Sequence, residues 1–215
     1  MIYAPSEDSE LLAEQVKKFA KNKKVLDLGS GSGIQAETAI SSGAFSVLAS
    51  DIDQDSIKLL KSKNILCIKS DLFSKINEKF DLVIFNPPYL PEDKKEDTES
   101  KRATTGGKKG DEIILGFIKN LKKHLNKNAF ALLLISSLTP KNKIKKEIKE
   151  QSLSYEILSE KKLFFEALEV WKIEVKGVES KAAETEKEPE KEPKVTPRKT
   201  KAKAKKTKPR AGAKA

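Results

Sequence analysis

The sequence predicts an α/β fold: an open, mostly parallel seven-stranded sheet, helices on both faces, and an antiparallel last pair of strands. Three observations lead there. Short apolar runs bounded by polar turns recur between residues 24 and 135, the pattern of strands buried on both faces. Stretches with apolar residues at helical spacing separate these runs, and such alternation implies right-handed crossovers and a parallel sheet. Two late runs, Tyr155–Leu158 and Val170–Val175, have no clear helix between them and read as an antiparallel pair.

In chain order, Pro5-Ser6-Glu7-Asp8 reads as a helix start, with Ser6 as cap and two acids in the first turn. Leu11, Leu12, Val16 and Phe19 give that helix its apolar stripe. Strand 1 is Lys24–Leu28, and a helix to about Ser41 leads to strand 2, Ser46–Ser50, ending at Asp51. A short helix over Gln54–Lys61 precedes strand 3, Ile65–Lys69, which ends at Asp71. Strand 4 is Leu82–Phe85, stopped by Pro87 and Pro88, whose ring nitrogens cannot donate to a ladder. Residues 90–109 form a polar connection with Gly106-Gly107 near its end, a length more often functional than a plain linker. Ile113, Ile114, Phe117, Ile118, Leu121 and Leu125 mark the next helix, and Ala129–Ile135 a second fully apolar strand. Thr139-Pro140 starts another helix, with Thr139 as cap and Pro140 at the first helical position. This count is the class I methyltransferase architecture, a Rossmann-like sheet, filling a domain of residues 1–176.

Composition excludes several classes of function. The one cysteine, Cys67, leaves no internal disulfide and no cysteine-cluster zinc site, which points to a reducing, cytoplasmic setting. The one histidine, His124, excludes a histidine metal site or catalytic triad, and it reads as a surface residue near a helix C-terminus. No apolar stretch approaches the roughly 20 residues of a membrane span, and the first residues lack the pattern of a signal peptide. Of the net charge of +11, residues 177–215 carry +7, with 13 Lys+Arg against 6 Asp+Glu. That segment is Glu- and Pro-rich, then Lys-, Thr-, Ala- and Pro-rich, and without apolar periodicity it is expected to be a disordered tail.

The chemistry gathers at strand ends. Asp27-x-Gly29-x-Gly31-x-Gly33 follows strand 1, and its glycines let a ligand approach the backbone. The spacing is G-x-G-x-G, not the G-x-G-x-x-G of dinucleotide folds. Asp51, roughly 20 residues on, is placed to accept both hydroxyls of a ribose. Asp71 is placed to accept from an adenine amine, with the Leu72 amide nearby as a donor. Any one of these acids alone is equally a turn residue or helix cap. Together they predict S-adenosylmethionine as cofactor, with a nicotinamide nucleotide the alternative.

Asn86-Pro87-Pro88-Tyr89 follows strand 4 directly. Each proline holds its predecessor extended, so Asn86 and Pro87 have little freedom. The Asn86 side-chain carbonyl, adjacent backbone carbonyls and the Tyr89 ring then stand at a carboxyl strand end, where α/β sheets bind ligands. Fixed acceptors there suit a planar NH2 group. The nitrogen of such a group, with its lone pair delocalised, is a poor nucleophile, so Asn86 Oδ1 and the Pro87 carbonyl would accept its two hydrogens and align it. Alignment and proximity are then the main contributions, with no strong general base.

These residues resemble the HemK-type glutamine methyltransferases that modify translation release factors. The resemblance runs from Tyr3 to about Lys176. It rests on Tyr3-x-Pro5-x-Glu7-Asp8-Ser9, the Asp27–Gly33 loop, Asp71-Leu72-Phe73, Phe85-Asn86-Pro87-Pro88-Tyr89 and Gly106-Gly107-x-x-Gly110. With only 23 residues before strand 1, the chain is similar to the short archaeal and eukaryotic branch, which lacks the extra N-terminal domain of bacterial members. The resemblance implies that Ser9, Asp27, Gly29, Gly31, Asp51, Asp71, Leu72 and Asn86 contact the cofactor. It also implies that Asn86, Pro87, Pro88 and Tyr89 hold the glutamine amide of the release factor's Gly-Gly-Gln motif. A small zinc-binding activator is implied as a partner, expected along the strand at 65–69, whose apolar run would otherwise leave an exposed sheet edge.

Adenine N6 of DNA or RNA is also a planar NH2 group and is the alternative substrate, although base flipping usually comes with an added recognition region. Lysine methylation and a non-catalytic relic of the pocket rank below it. The basic tail would add non-specific phosphate affinity. Removing residues 178–215 is expected to weaken nucleic-acid binding and leave turnover intact.

Overall fold

A computed structural model describes residues 5–89, 107 and 110–176. These belong to the first of two units, Met1–Val178; the second, Glu179–Ala215, lies outside the described residues, as do Tyr3, Gly106 and most of the 90–109 connection.

The seven strands are β1 (Lys24–Leu28), β2 (Ser46–Asp51), β3 (Cys67–Lys69), β4 (Phe80–Phe85), β5 (Leu125–Ser136), β6 (Leu153–Lys162) and β7 (Ala167–Val175). They form one sheet in the order β3-β2-β1-β4-β5-β7-β6. All neighbours up to β5 are parallel, and β7 runs against both β5 and β6. The described helices are α1 (Glu7–Phe19), α2 (Ile34–Ser41), α3 (Gln54–Ser62), α4 (Glu112–Leu121) and α5 (Lys141–Glu150). None of them is long and apolar enough to cross a membrane. The predicted class I methyltransferase sheet is observed.

Strand pleat divides the core. Leu82 and Ile84 of β4 face a cluster with Leu12 and Val16 of α1, while Val83 and Phe85 face Ile114, Phe117 and Ile118 of α4. A third cluster joins α2, α3 and β2 through Ala36, Ala49, Ile57 and Leu60. Buried Phe117 packs its ring against Phe85 at 4.8 Å and Phe73 at 5.7 Å, which fixes the strand that carries Asn86. Asp81 fastens the opposite edge of the sheet: its carboxylate accepts from Lys24 N (2.9 Å) and Asn126 Nδ2 (2.8 Å).

Several element ends and caps differ from expectation. Strand 3 begins at Cys67, not Ile65. Ile65 N still bonds to Leu60 O, and Asn64 turns the chain at φ +56°, so residues 64–65 close α3, while Leu66 O already accepts from Ala49 N of β2 at 2.9 Å. Leu125 lies in β5, paired with Phe80, because a 3-10 turn over Lys122–His124 ends the helix first. Pro140 occupies the N-cap of α5, and Thr139 makes no capping bond. The Thr139 hydroxyl instead reaches Tyr89 O at 3.5 Å. Ser6 occupies the N-cap of α1 but does not accept from the helix; its hydroxyl donates to Asp8 Oδ1. His124 is half-buried, its ring 4.3 Å from that of Phe73 and stacked on it.

Candidate active site

The sheet order changes direction between β1 and β4, and ligands of such sheets bind in the crevice at that point. Register places Leu28 opposite both Ser50 and Phe85, so Gly29, Asp51 and Asn86 leave the sheet at one level.

On the β1 side, Asp27 is fully buried; its Oδ2 accepts from Ser30 Oγ (2.5 Å) and Ala36 N (3.0 Å), tying the glycine loop to α2. Gly33 caps α2 at φ +89°, and a Cβ there would meet Leu60 Cδ2 at 2.9 Å. Gly31 (φ +54°) is different: a Cβ would meet no protein atom within 4 Å, so the glycine keeps open space over the loop. Asp51, itself buried, accepts from Gly31 N and from Asp53 N, both at 2.8 Å. Its carboxylate therefore holds the loop and keeps further acceptor capacity. Exposed Ile52 adjoins it. Asp71 is exposed in the turn after β3, and half-buried Leu72 adopts φ +44°.

Burial pushes the Asp27 carboxyl up to about 7, and burial also raises Asp51. A cation bound beside this loop favours the ionised carboxylates, so binding should expel protons. Affinity for a cationic cofactor should therefore climb with pH up to about 7 and level off above it. Asp27→Asn should reduce both effects, which calorimetry in two buffers of different ionisation heat would measure. A proton count unchanged by the substitution would rule this linkage out.

On the β4 side, Pro87 is buried, and Pro88 and Tyr89 are half-buried. Asn86 Nδ2 donates to Asp8 Oδ2 at 3.0 Å and lies 3.5 Å from Ser9 Oγ. Asn86 Oδ1 is buried with no partner. An orphaned buried acceptor costs about 1–3 kcal/mol, which is a reason to look for a ligand that satisfies it. Ser9, also buried, is held by Gln35, whose Nε2 donates to Ser9 O at 2.9 Å.

Thus the structure brings Ser9, Asp27, Gly29, Gly31, Asp51 and Asn86 through Tyr89 to the crevice, with Asp71 and Leu72 after the neighbouring strand. Gln35 went unnoticed in the sequence, and Asp8, part of the motif that carries the resemblance, had no role assigned to it. Asp8 stood in plain view as an acid of the first helical turn, but only the fold brings it to Asn86. Also left unassigned were Phe164 and Phe165, 92% and 86% exposed at the β6–β7 turn. Their rings pack edge to face at 4.6 Å. Since Leu168 pairs with Ser136 at the end of β5, this turn lies at the carboxyl edge of the parallel strands.

Residues 6–164 match the methyltransferase small domain. The chain belongs to that family. A relative from Methanocaldococcus jannaschii, provisionally named protein N5-glutamine methyltransferase, is 38% identical over 79% of this chain and 89% of its own length. The release factor glutamine methyltransferase of Fusobacterium nucleatum is 35% identical over 44% of this chain. The chain spans only 30% of that bacterial relative. Among solved structures, the Mtq2–Trm112 complex of E. cuniculi, described as responsible for methylating the termination factor eRF1, aligns at TM-score 0.67 and 26% identity. That alignment covers 81% of this chain and 99% of the other. The predicted resemblance to the HemK-type enzymes thus holds, and the chain is a methyltransferase of this class.

Proposed function

We propose that this methyltransferase modifies the side-chain amide nitrogen of the glutamine in a translation release factor's Gly-Gly-Gln motif. The observation that carries the reading is Asn86 Oδ1, an acceptor buried without a partner at the crevice. The names of the relatives supply the choice of glutamine over other NH2 groups.

S-adenosylmethionine, when bound, supplies the electrophilic methyl group. The residues on the β1 side fit it: Gly31 leaves space against the loop, and Asp51 has acceptor capacity for a ribose. Exposed Ile52 offers an apolar surface to the adenine, beside Asp71 and Leu72. Ser9, Asp27 and Gly29 shape the pocket for the methionine portion. On the β4 side, Asn86 Oδ1 and the Pro87 carbonyl accept the two amide hydrogens, and Pro88 and Tyr89 bound the glutamine. Holding both hydrogens would orient the nitrogen for attack on the methyl group; as the N–CH3 bond formed, the S–CH3 bond would break and one amide hydrogen would leave as a proton to solvent. No histidine or cysteine is needed at Asn86-Pro87-Pro88-Tyr89, and none is present in it.

A competition assay tests the reading. Labelled cofactor would be offered with release factor, its Gln→Ala variant and DNA together. Label confined to the unaltered release factor is expected; label on DNA would make adenine the substrate.

The reading extends to a partner. A small zinc-binding activator would pair along the edge at residues 65–69. Supporting this, β3 is an edge strand with only three residues in the sheet, and Leu66 beside it is 71% exposed. Leu66→Asp should abolish co-purification with a co-expressed activator; an unchanged complex would refute the pairing.

A further inference from the structure

One end of the Asn86 amide faces Asp8, and the other lies buried without a partner. The two ends of an amide are nearly equal in shape, so packing alone does not choose between them. Asp8 does. It is only 4% exposed, and its carboxylate is held from several directions. Oδ1 accepts from Ser9 N (2.6 Å), Ser6 Oγ (3.0 Å) and Ser9 Oγ (3.3 Å). Oδ2 accepts from Asn86 Nδ2 at 3.0 Å. A carboxylate accepts and does not donate, so the NH2 end of Asn86 must face Asp8 and the carbonyl must face away. The carbonyl oxygen is the atom left buried without a partner. Reversing the amide would set its carbonyl against a carboxylate and present a donor to an incoming NH2 group.

We propose that Asp8 is the positioning residue that fixes Asn86 as an acceptor. The site thereby takes substrates that bring an NH2 group and rejects carboxylates of the same shape. The inference rests on the acceptor role proposed above for Asn86.

The test compares Asp8→Asn with Asp8→Ala in the full chain with its activator. An asparagine at position 8 keeps its carbonyl on the Ser9 amide and turns its own NH2 toward Asn86. The Asn86 amide then reverses. Turnover on the glutamine substrate should fall about 10²–10³-fold, the size of losing one preorganised hydrogen bond. Asp8→Ala removes the bias without imposing the opposite one, so its turnover should fall less. A residue needed only for folding gives the reverse order, because alanine leaves a cavity and orphaned donors. The release factor with Gln→Glu should bind Asp8→Asn more tightly than it binds the unmodified enzyme, since a donor now meets its carboxylate. Wild-type turnover in Asp8→Asn, greater loss in Asp8→Ala, or equal weakening for both release factors would each overturn the inference. Should the unmodified enzyme label only adenine, the glutamine reading fails, but the order of the two variants on adenine still tests Asp8.

Discussion

Asn86→Ala is expected to lower turnover on release factor by about 10²–10³-fold, with a smaller loss of cofactor affinity. The size follows from what the side chain does. Its oxygen is one of two acceptors for the substrate amide, preorganised by the bond to Asp8 and already desolvated. An acceptor of that kind has its water removed and its direction set before the substrate arrives, so its whole effect falls on alignment of the nucleophile. Truncation also leaves Asp8 Oδ2 without the Asn86 amide, so thermal melting should accompany the kinetics. Single-turnover rates at saturating substrate, beside cofactor titration, separate alignment from binding. A variant with wild-type turnover would show that another group holds the substrate amide.

The second large effect concerns Asp51. Its carboxylate holds Gly31 N and Asp53 N at 2.8 Å and is the one acid at the end of β2 with capacity left for a ribose. Hydrogen bonds to a charged group contribute about 1.5–3 kcal/mol each, and two hydroxyls plus a loosened loop place the loss near the upper part of that range. Asp51→Ala should therefore raise the cofactor Kd by on the order of 10²-fold. Turnover at saturating cofactor should suffer much less, because the groups that hold the methyl-accepting nitrogen stand across the crevice, in the turn after β4. Affinity unchanged by the substitution would remove Asp51 from the cofactor site.

Much of this was legible in the sequence because the carrying features are local. Strands covered on both faces must be apolar throughout, so β1, β4 and the centre of β5 stand out as runs, and the chemistry follows each run by a residue or two. Two prolines fix the turn after β4 without help from the rest of the fold. What was hidden depends on contacts distant in sequence. Asp8 reads as an acid favoured by a helix N-terminus, and nothing local says that its partner is Asn86. Thr139 before Pro140 looks like a cap, yet its hydroxyl reaches the end of the Asn86–Tyr89 turn instead. Ile65 continues an apolar run, but the left-handed residue at Asn64 returns its amide to Leu60 O, and the strand starts only at Cys67. A run of apolar residues does not reveal which of them the turn has claimed.

In this mechanism the acceptor at Asn86 receives a glutamine amide. Tandem mass spectrometry of release factor treated with S-adenosylmethionine and the enzyme, co-expressed with the proposed activator, tests it. A single added methyl is expected on the side-chain nitrogen of the Gly-Gly-Gln glutamine, absent when the Asn86→Ala variant replaces the enzyme. A methyl on a lysine, or on no residue of the release factor while DNA is modified, would contradict it.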